Sequence, residues 1–130
     1  MIEQFKEIGI REVVISGGKA ILRKDFTEII KRLINSRIRV NSVFSNGILL
    51  NDEILSFLKN CGSKVNLYIS LDGLNIKSHN EIRNPKDLKQ DRYFETTRKS
   101  IINSISKGLS TRINTIIHKH YADDLQLAVN

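Results

Sequence analysis

The segment Val65-Asn66-Leu67-Tyr68-Ile69-Ser70-Leu71-Asp72-Gly73 alternates apolar and polar residues and closes on a glycine. A period of two over this length is the pattern of a β-strand with one face in a core. On both sides of it the period changes. Upstream, Asn51-Asp52-Glu53 opens a helix with Ile54, Leu55, Leu58 and Cys61 inward, and Gly62 ends it. Before that helix, residues 40–44 form a second strand closed by Ser45-Asn46-Gly47. Earlier still, Asp25 is placed to cap a helix that turns Phe26, Ile29, Ile30, Leu33 and Ile34 to one side, with Glu28 completing a capping box. The first strand, Val13-Val14-Ile15, gives out at Ser16-Gly17-Gly18, and residues 1–8 read as the tail of a helix. Downstream, a polar connection over residues 74–92 leads to a helix carrying Phe94, Ile101, Ile102 and Ile105. A fourth strand covers residues 113–117, and residues 121–130 begin another helix.

Strands starting at residues 13, 40, 65 and 113 leave room between them for crossover helices, so consecutive strands are expected to run parallel. The fold class is α/β. With 130 residues the chain is one domain or part of one. A hydrophobic share of 40% is too high for disorder, and no apolar run approaches the ~20 residues that span a bilayer. The start of the chain lacks the pattern of a signal peptide, which points to a cytoplasmic location. The formal charge of +7 raises nucleic acid as a partner, but basic residues are spread along the chain and aromatics are only 6%, which argues against it. One cysteine allows neither an internal disulfide nor an all-cysteine metal site.

In a parallel α/β sheet, ligands sit beyond the carboxyl ends of the strands. These ends read Ser16-Gly17-Gly18, Ser45-Asn46-Gly47, Ser70-Leu71-Asp72-Gly73 and His118-Lys119-His120. The paired glycines expose backbone N–H groups, Asn46 offers an amide, Ser70 a hydroxyl, and Asp72 a carboxylate able to accept from sugar hydroxyls. Such a rim suits a cofactor-sized polar ligand. The histidine pair lacks a nearby third ligand, and Cys61 lies on an apolar helix face as a core residue. Gly17-Gly18-Lys19 lacks the spacing of a P-loop, and no Gly-x-Ser-x-Gly elbow is present.

Taken in order, these ends resemble a known family. The run from Gly9 to Phe26, with Ser16-Gly17-Gly18-Lys19-Ala20 at its centre, is similar to the segment around the Gly-Gly-Glu-Pro motif of radical S-adenosylmethionine (radical SAM) enzymes. Ser45-Asn46-Gly47 resembles their Thr-Asn-Gly. Ser70-Leu71-Asp72-Gly73, His79, Arg83 and Phe94 resemble the Ser-Leu-Asp-Gly, His-Asp-x-x-Arg and Phe pattern of the branch with a C-terminal SPASM or twitch domain, and Ile113-Asn114-Thr115 fits the fifth strand. The resemblance implies a partial (β/α)6, TIM-barrel-like core of which this chain supplies parallel strands two to five, the first and sixth being missing. It implies S-adenosylmethionine and a 4Fe-4S cluster as cofactors and a peptide substrate in the parent family. Gly17, Gly18, Lys19, Asn46, Ser70, Asp72 and Arg83 become the cofactor-binding candidates; no catalytic or metal-ligating residue is assigned.

Two departures bear on activity. The family's Cys-x-x-x-Cys-x-x-Cys is absent, so a thiolate-held cluster is not expected on this chain. Where the family's Glu accepts from the cofactor's ammonium, Lys19 has no acceptor; two cations ~4 Å apart repel by about 4 kcal/mol at an effective dielectric near 20. The expectation is an incomplete core, inert by itself. The alternatives are a non-catalytic nucleotide- or partner-binding module, or one half of a split enzyme completed by a chain carrying the cysteines.

Overall fold

The computed structural model describes residues 1–17, 20–83 and 90–117. The elements are α1 (Ile2–Glu7), β1 (Glu12–Ile15), a 3-10 turn (Ala20–Leu22), α2 (Phe26–Asn35), β2 (Arg39–Ser45), α3 (Asp52–Asn60), β3 (Asn66–Ser70), α4 (Ile76–Arg83), α5 (Gln90–Ser106) and β4 (Ser110–Asn114). The four strands form one sheet in the order β1-β2-β3-β4, and every neighbouring pair is parallel. The α/β class and the parallel arrangement are therefore as the apolar periodicity implied.

The core forms on one face of this sheet. Val43, Leu67 and Ile69 from the strands are fully buried against Ile30 of α2 and Leu55 and Leu58 of α3. Each such side chain contributes about 1.5–3 kcal/mol of transfer free energy, so this layer dominates the fold's stability. The alternate strand positions point the other way. Asn66, Tyr68 and Ser70 are half-buried, Val14 is 52% exposed, and none of them joins the core cluster. The sheet thus has a helix-covered face and an open face of polar and aromatic side chains.

Four local expectations are corrected. The fourth strand is Ser110–Asn114, not 113–117, because pairing of Asn66 with Ser110 and Leu67 with Thr111 sets its register. Its polar first half gave no apolar signal. In α5, Ile102 and Ile105 are 51% and 59% exposed, while Thr97, Ser100 and Ser104 are buried. The Thr97 and Ser100 hydroxyls donate to the carbonyls of Asn46 (3.0 Å) and Gly47 (2.6 Å) in the β2 turn, a close approach that isoleucine would prevent, while the Ser104 hydroxyl donates within the helix to Ile101 (2.7 Å). At α2, Asp25 makes no side-chain cap; its carboxylate takes both Arg23 donors instead (2.9 and 2.8 Å), and Glu28 pairs with Arg32 rather than closing a capping box. Within the polar connection lies a helix, α4, whose first turn is held by Ser78 N–H donating to Asn75 Oδ1 (2.9 Å). The cap expected at Asn51 is present, with Ile54 N–H donating to its Oδ1 at 2.9 Å.

Candidate functional site

At the carboxyl end of β2 the chain turns sharply. Asn46 Oδ1 accepts from the Ile48 N–H (3.1 Å) and Ser45 Oγ from the Gly47 N–H (3.0 Å). Gly47 lies at φ +86°, and a Cβ there would sit 3.1 Å from the Thr97 backbone. Only glycine lets α5 press onto this turn. At the end of β3, Gly73 plays a similar part without unusual dihedrals: a Cβ would meet Ser78 Oγ at 2.2 Å and His79 N at 2.5 Å. The start of α4 is therefore folded tightly back over the strand end.

That folding buries an ionic network. Asp72 is 2% exposed; its Oδ1 accepts from the Ile116 N–H (2.9 Å), just beyond β4, and its Oδ2 pairs with Arg83 at the end of α4. The Asp72 N–H donates to Nδ1 of His79 (3.1 Å), a fully buried ring packed against Tyr93 and Phe94 of α5 at centroid distances of 5.5 and 5.7 Å. Tyr93 in turn accepts from the Asn46 amide (3.1 Å). Because Nδ1 is an acceptor, His79 is held as the neutral tautomer with the proton on Nε2. Burial pushes its pKa below the usual imidazole value; the Asp72 carboxylate opposes this and the Arg83 guanidinium adds to it.

Three of the sequence-derived candidates, Asn46, Asp72 and Arg83, are thus drawn into one assembly that ties together the ends of β2, β3 and β4. Their polar atoms are already engaged inside the chain: both Asp72 oxygens, the Arg83 Nε and both ends of the Asn46 amide. Ser70 and Gly17 differ. Ser70 is half-buried at the open face, and Gly17 is exposed at φ +116° with open space where a Cβ would be. Gly18, Lys19, His118, Lys119 and His120 lie outside the described residues. Tyr93 and Thr97 were not legible as site residues. Each lies in an ordinary amphipathic stretch, and only the fold carries it to the β2 turn.

Cys61 sits at the opposite end of the sheet. It follows α3, its Sγ donates to the Leu58 carbonyl (3.4 Å), and Ser63 beside it donates to the carbonyl of Val40 near the start of β2. A thiolate-held iron–sulfur cluster at the strand ends does not fit this chain, whose one cysteine points elsewhere. Among the described residues no group of three His, Cys, Asp or Glu side chains could hold a metal ion, and no helix is long and apolar enough to cross a membrane.

The chain is 26% identical over 123 residues to a GTP 3',8-cyclase of Synechocystis, covering 95% of the chain and 35% of the relative. It is 32% identical over 111 residues to a probable GTP 3',8-cyclase of Methanocaldococcus jannaschii, covering 85% and 33%. Over 77 residues it is 43% identical to a probable GTP 3',8-cyclase of Methanococcus vannielii, covering 58% and 25%. The chain spans roughly a quarter to a third of the length of these relatives. In fold it is similar to Streptococcus suis SuiB, with a TM-score of 0.75 at 22% identity, over 98% of this chain and 28% of that one. The family profile described as Radical SAM superfamily matches residues 1–128, and on that ground the chain belongs to the radical SAM superfamily.

Proposed function

We propose that this chain is the cofactor-facing portion of a radical SAM core, of the SPASM or twitch branch. In this reading the strand ends seat S-adenosylmethionine, and the iron–sulfur cluster is held outside these 130 residues. One observation carries it: the buried Asn46–Tyr93–His79–Asp72–Arg83 assembly fixes three strand ends side by side while leaving Ser70 and Gly17 open next to them. A rigid floor with a few open polar groups is what orienting a small polar cofactor requires. When bound, the cluster of the family supplies the electron that cleaves the sulfonium. The work of this chain's residues is binding and orientation: Gly17 and Gly18 offer backbone N–H groups, Ser70 a hydroxyl, and Asp72, Asn46 and Arg83 hold the rim in place. In this reading the whole protein works in cofactor or peptide maturation; the relatives it matches are named as cyclases of GTP. A complementary polypeptide bearing the cysteine triad would complete the reaction in a split enzyme.

Equilibrium dialysis against S-adenosylhomocysteine, with wild type and Lys19→Glu, tests the seat. Weak saturable binding that tightens in Lys19→Glu is expected, since the carboxylate restores an acceptor for the ligand's ammonium. Absence of binding to both proteins at millimolar ligand overturns the reading. Anaerobic reconstitution with iron and sulfide is expected to leave the chain without thiolate-to-iron absorption; a stoichiometric cluster would overturn the division of labour.

A further inference from the structure

The four helix-to-strand connections lie at one edge of the sheet, opposite the strand-end site. They are residues 8–11, 36–38, 61–65 and 107–109, and together they carry Arg11, Arg37, Lys64 and Lys107 and no acid. Bases that are spread along the sequence are gathered in space by the parallel topology. Each connection passes through one residue in the left-handed region just after its helix. Three of these are Gly9, Gly62 and Gly108, at φ +80°, +83° and +71°; the fourth is Arg37, at φ +60°. Its turn closes as those at Gly9 and Gly108 do: the Ile38 N–H donates to the Leu33 carbonyl and the Arg37 N–H to the Ile34 carbonyl, both at 2.9 Å. Glycine takes this conformation without the steric cost that a Cβ brings. An arginine kept there points to a use for its side chain, since strained backbone clusters where function retains it.

Lys107 is engaged with Asp52 at 2.7 Å, and Glu12 of β1 is paired with Arg39 of β2. Arg11, Arg37 and Lys64 are exposed, and among the described residues their side chains have no ionic or hydrogen-bonding partner. Glu7, which ends α1, is the one acid on this edge without such a partner among the described residues. The connection before β2 stands between those before β1 and β3, on strands about 4.8 Å apart, so the three free cations occupy three consecutive turns. Ile8, in the first of these turns, is 73% exposed.

We propose that this edge, centred on Arg37, docks an acidic amphipathic segment of a partner polypeptide. Guanidinium groups pair bidentately with carboxylates, and a row of unpaired cations steers an acidic partner onto it. Ile8 offers an apolar contact that a phosphodiester backbone cannot use. A nucleic-acid interface of about 6–10 phosphate contacts needs more cations than these turns leave free, and they hold no aromatic residue on which a base could stack.

The test is fluorescence anisotropy of a labelled helical peptide of Glu, Leu and Ala, titrated with the purified chain. Saturable binding that weakens as salt is raised is expected. Arg37→Gly removes the guanidinium and relieves the backbone, so it should hold or raise the urea midpoint while weakening the peptide about fivefold or more. Arg11→Gln combined with Lys64→Gln should also weaken it. Lys99→Gln, at an exposed position of α5 away from this edge, changes the net charge as Arg37→Gly does and should leave binding unchanged. Equal affinity in wild type and Arg37→Gly overturns the proposal, as does an equal loss in Lys99→Gln or no binding to folded wild type. Poly-L-glutamate, which has no apolar face, should bind more weakly than the peptide; equal binding overturns the amphipathic partner. Tighter binding of a DNA duplex than of the peptide overturns the proposal in favour of nucleic acid.

Discussion

Asp72 and Arg83 show how one residue pair changes meaning between sequence and structure. In the sequence they are a carboxylate and a guanidinium eleven positions apart, each free to meet a ligand. In the fold the Asp72 side chain has no exposure and the Arg83 side chain 25%, and they meet each other. Removing one partner of a buried pair leaves the other charge uncompensated, which costs about 3–5 kcal/mol. Arg83→Ala is therefore expected to lower the unfolding free energy by roughly the lower part of that range, because the partial exposure of Arg83 shows that solvent reaches the pair; urea denaturation measures it. His79 adds a pH dependence. Its folded-state pKa is depressed, so below pH about 6.5 the unfolded chain binds a proton that the folded one resists. Stability should be full above that pH, decline as pH falls through it, and level off once the folded-state pKa is passed. Thermal melts at pH 7.5 and 5.5 should show a drop in wild type that is smaller in His79→Gln; equal drops would remove His79 as the cause.

At the scale of elements, the docking of α4 and α5 rests on small groups rather than on apolar stripes. Gly73 lets α4 fold back onto the end of β3, and Thr97 and Ser100 let α5 approach the β2 turn. Gly73→Ala introduces a methyl 2.2 Å from Ser78 Oγ and 2.5 Å from the His79 backbone. The backbone cannot swing aside as a side-chain tip can, so a loss of about 1–3 kcal/mol is expected. It should be concentrated in α4, where hydrogen exchange of residues 76–83 would rise more than that of β2 or β3. Uniform exchange across the sheet would contradict this account. The helical face expected for α5 failed for the same physical reason: periodicity finds apolar stripes, whereas this helix buries hydroxyls that satisfy carbonyls of a turn distant in sequence.

For the whole molecule, the governing feature is a sheet with one buried face and two outer strands. Among the described residues β1 and β4 are each paired on one side only, and Val14, Ile113, Ile116 and Ile117 are between 44% and 80% exposed near them. Unpaired edges beside exposed apolar side chains favour intermolecular strand pairing. Concentration-dependent association is expected in sedimentation velocity, and Ile113→Lys on β4 should reduce it; unchanged association would locate the contact elsewhere. The sequence by itself determined the α/β class, the parallel order of strands, the core residues of α2, α3 and β3, and the polar character of the strand ends. These follow from periodicity and turn residues, which are local properties of a chain. Only the tertiary structure decided that Asn46, Asp72 and Arg83 are joined through Tyr93 and His79, that β4 begins at Ser110, and that Arg11, Arg37 and Lys64 stand in consecutive turns at one edge of the sheet. Such pairings are set by strand register and by how closely helices approach, and those distances exist only once residues far apart in sequence have been packed together.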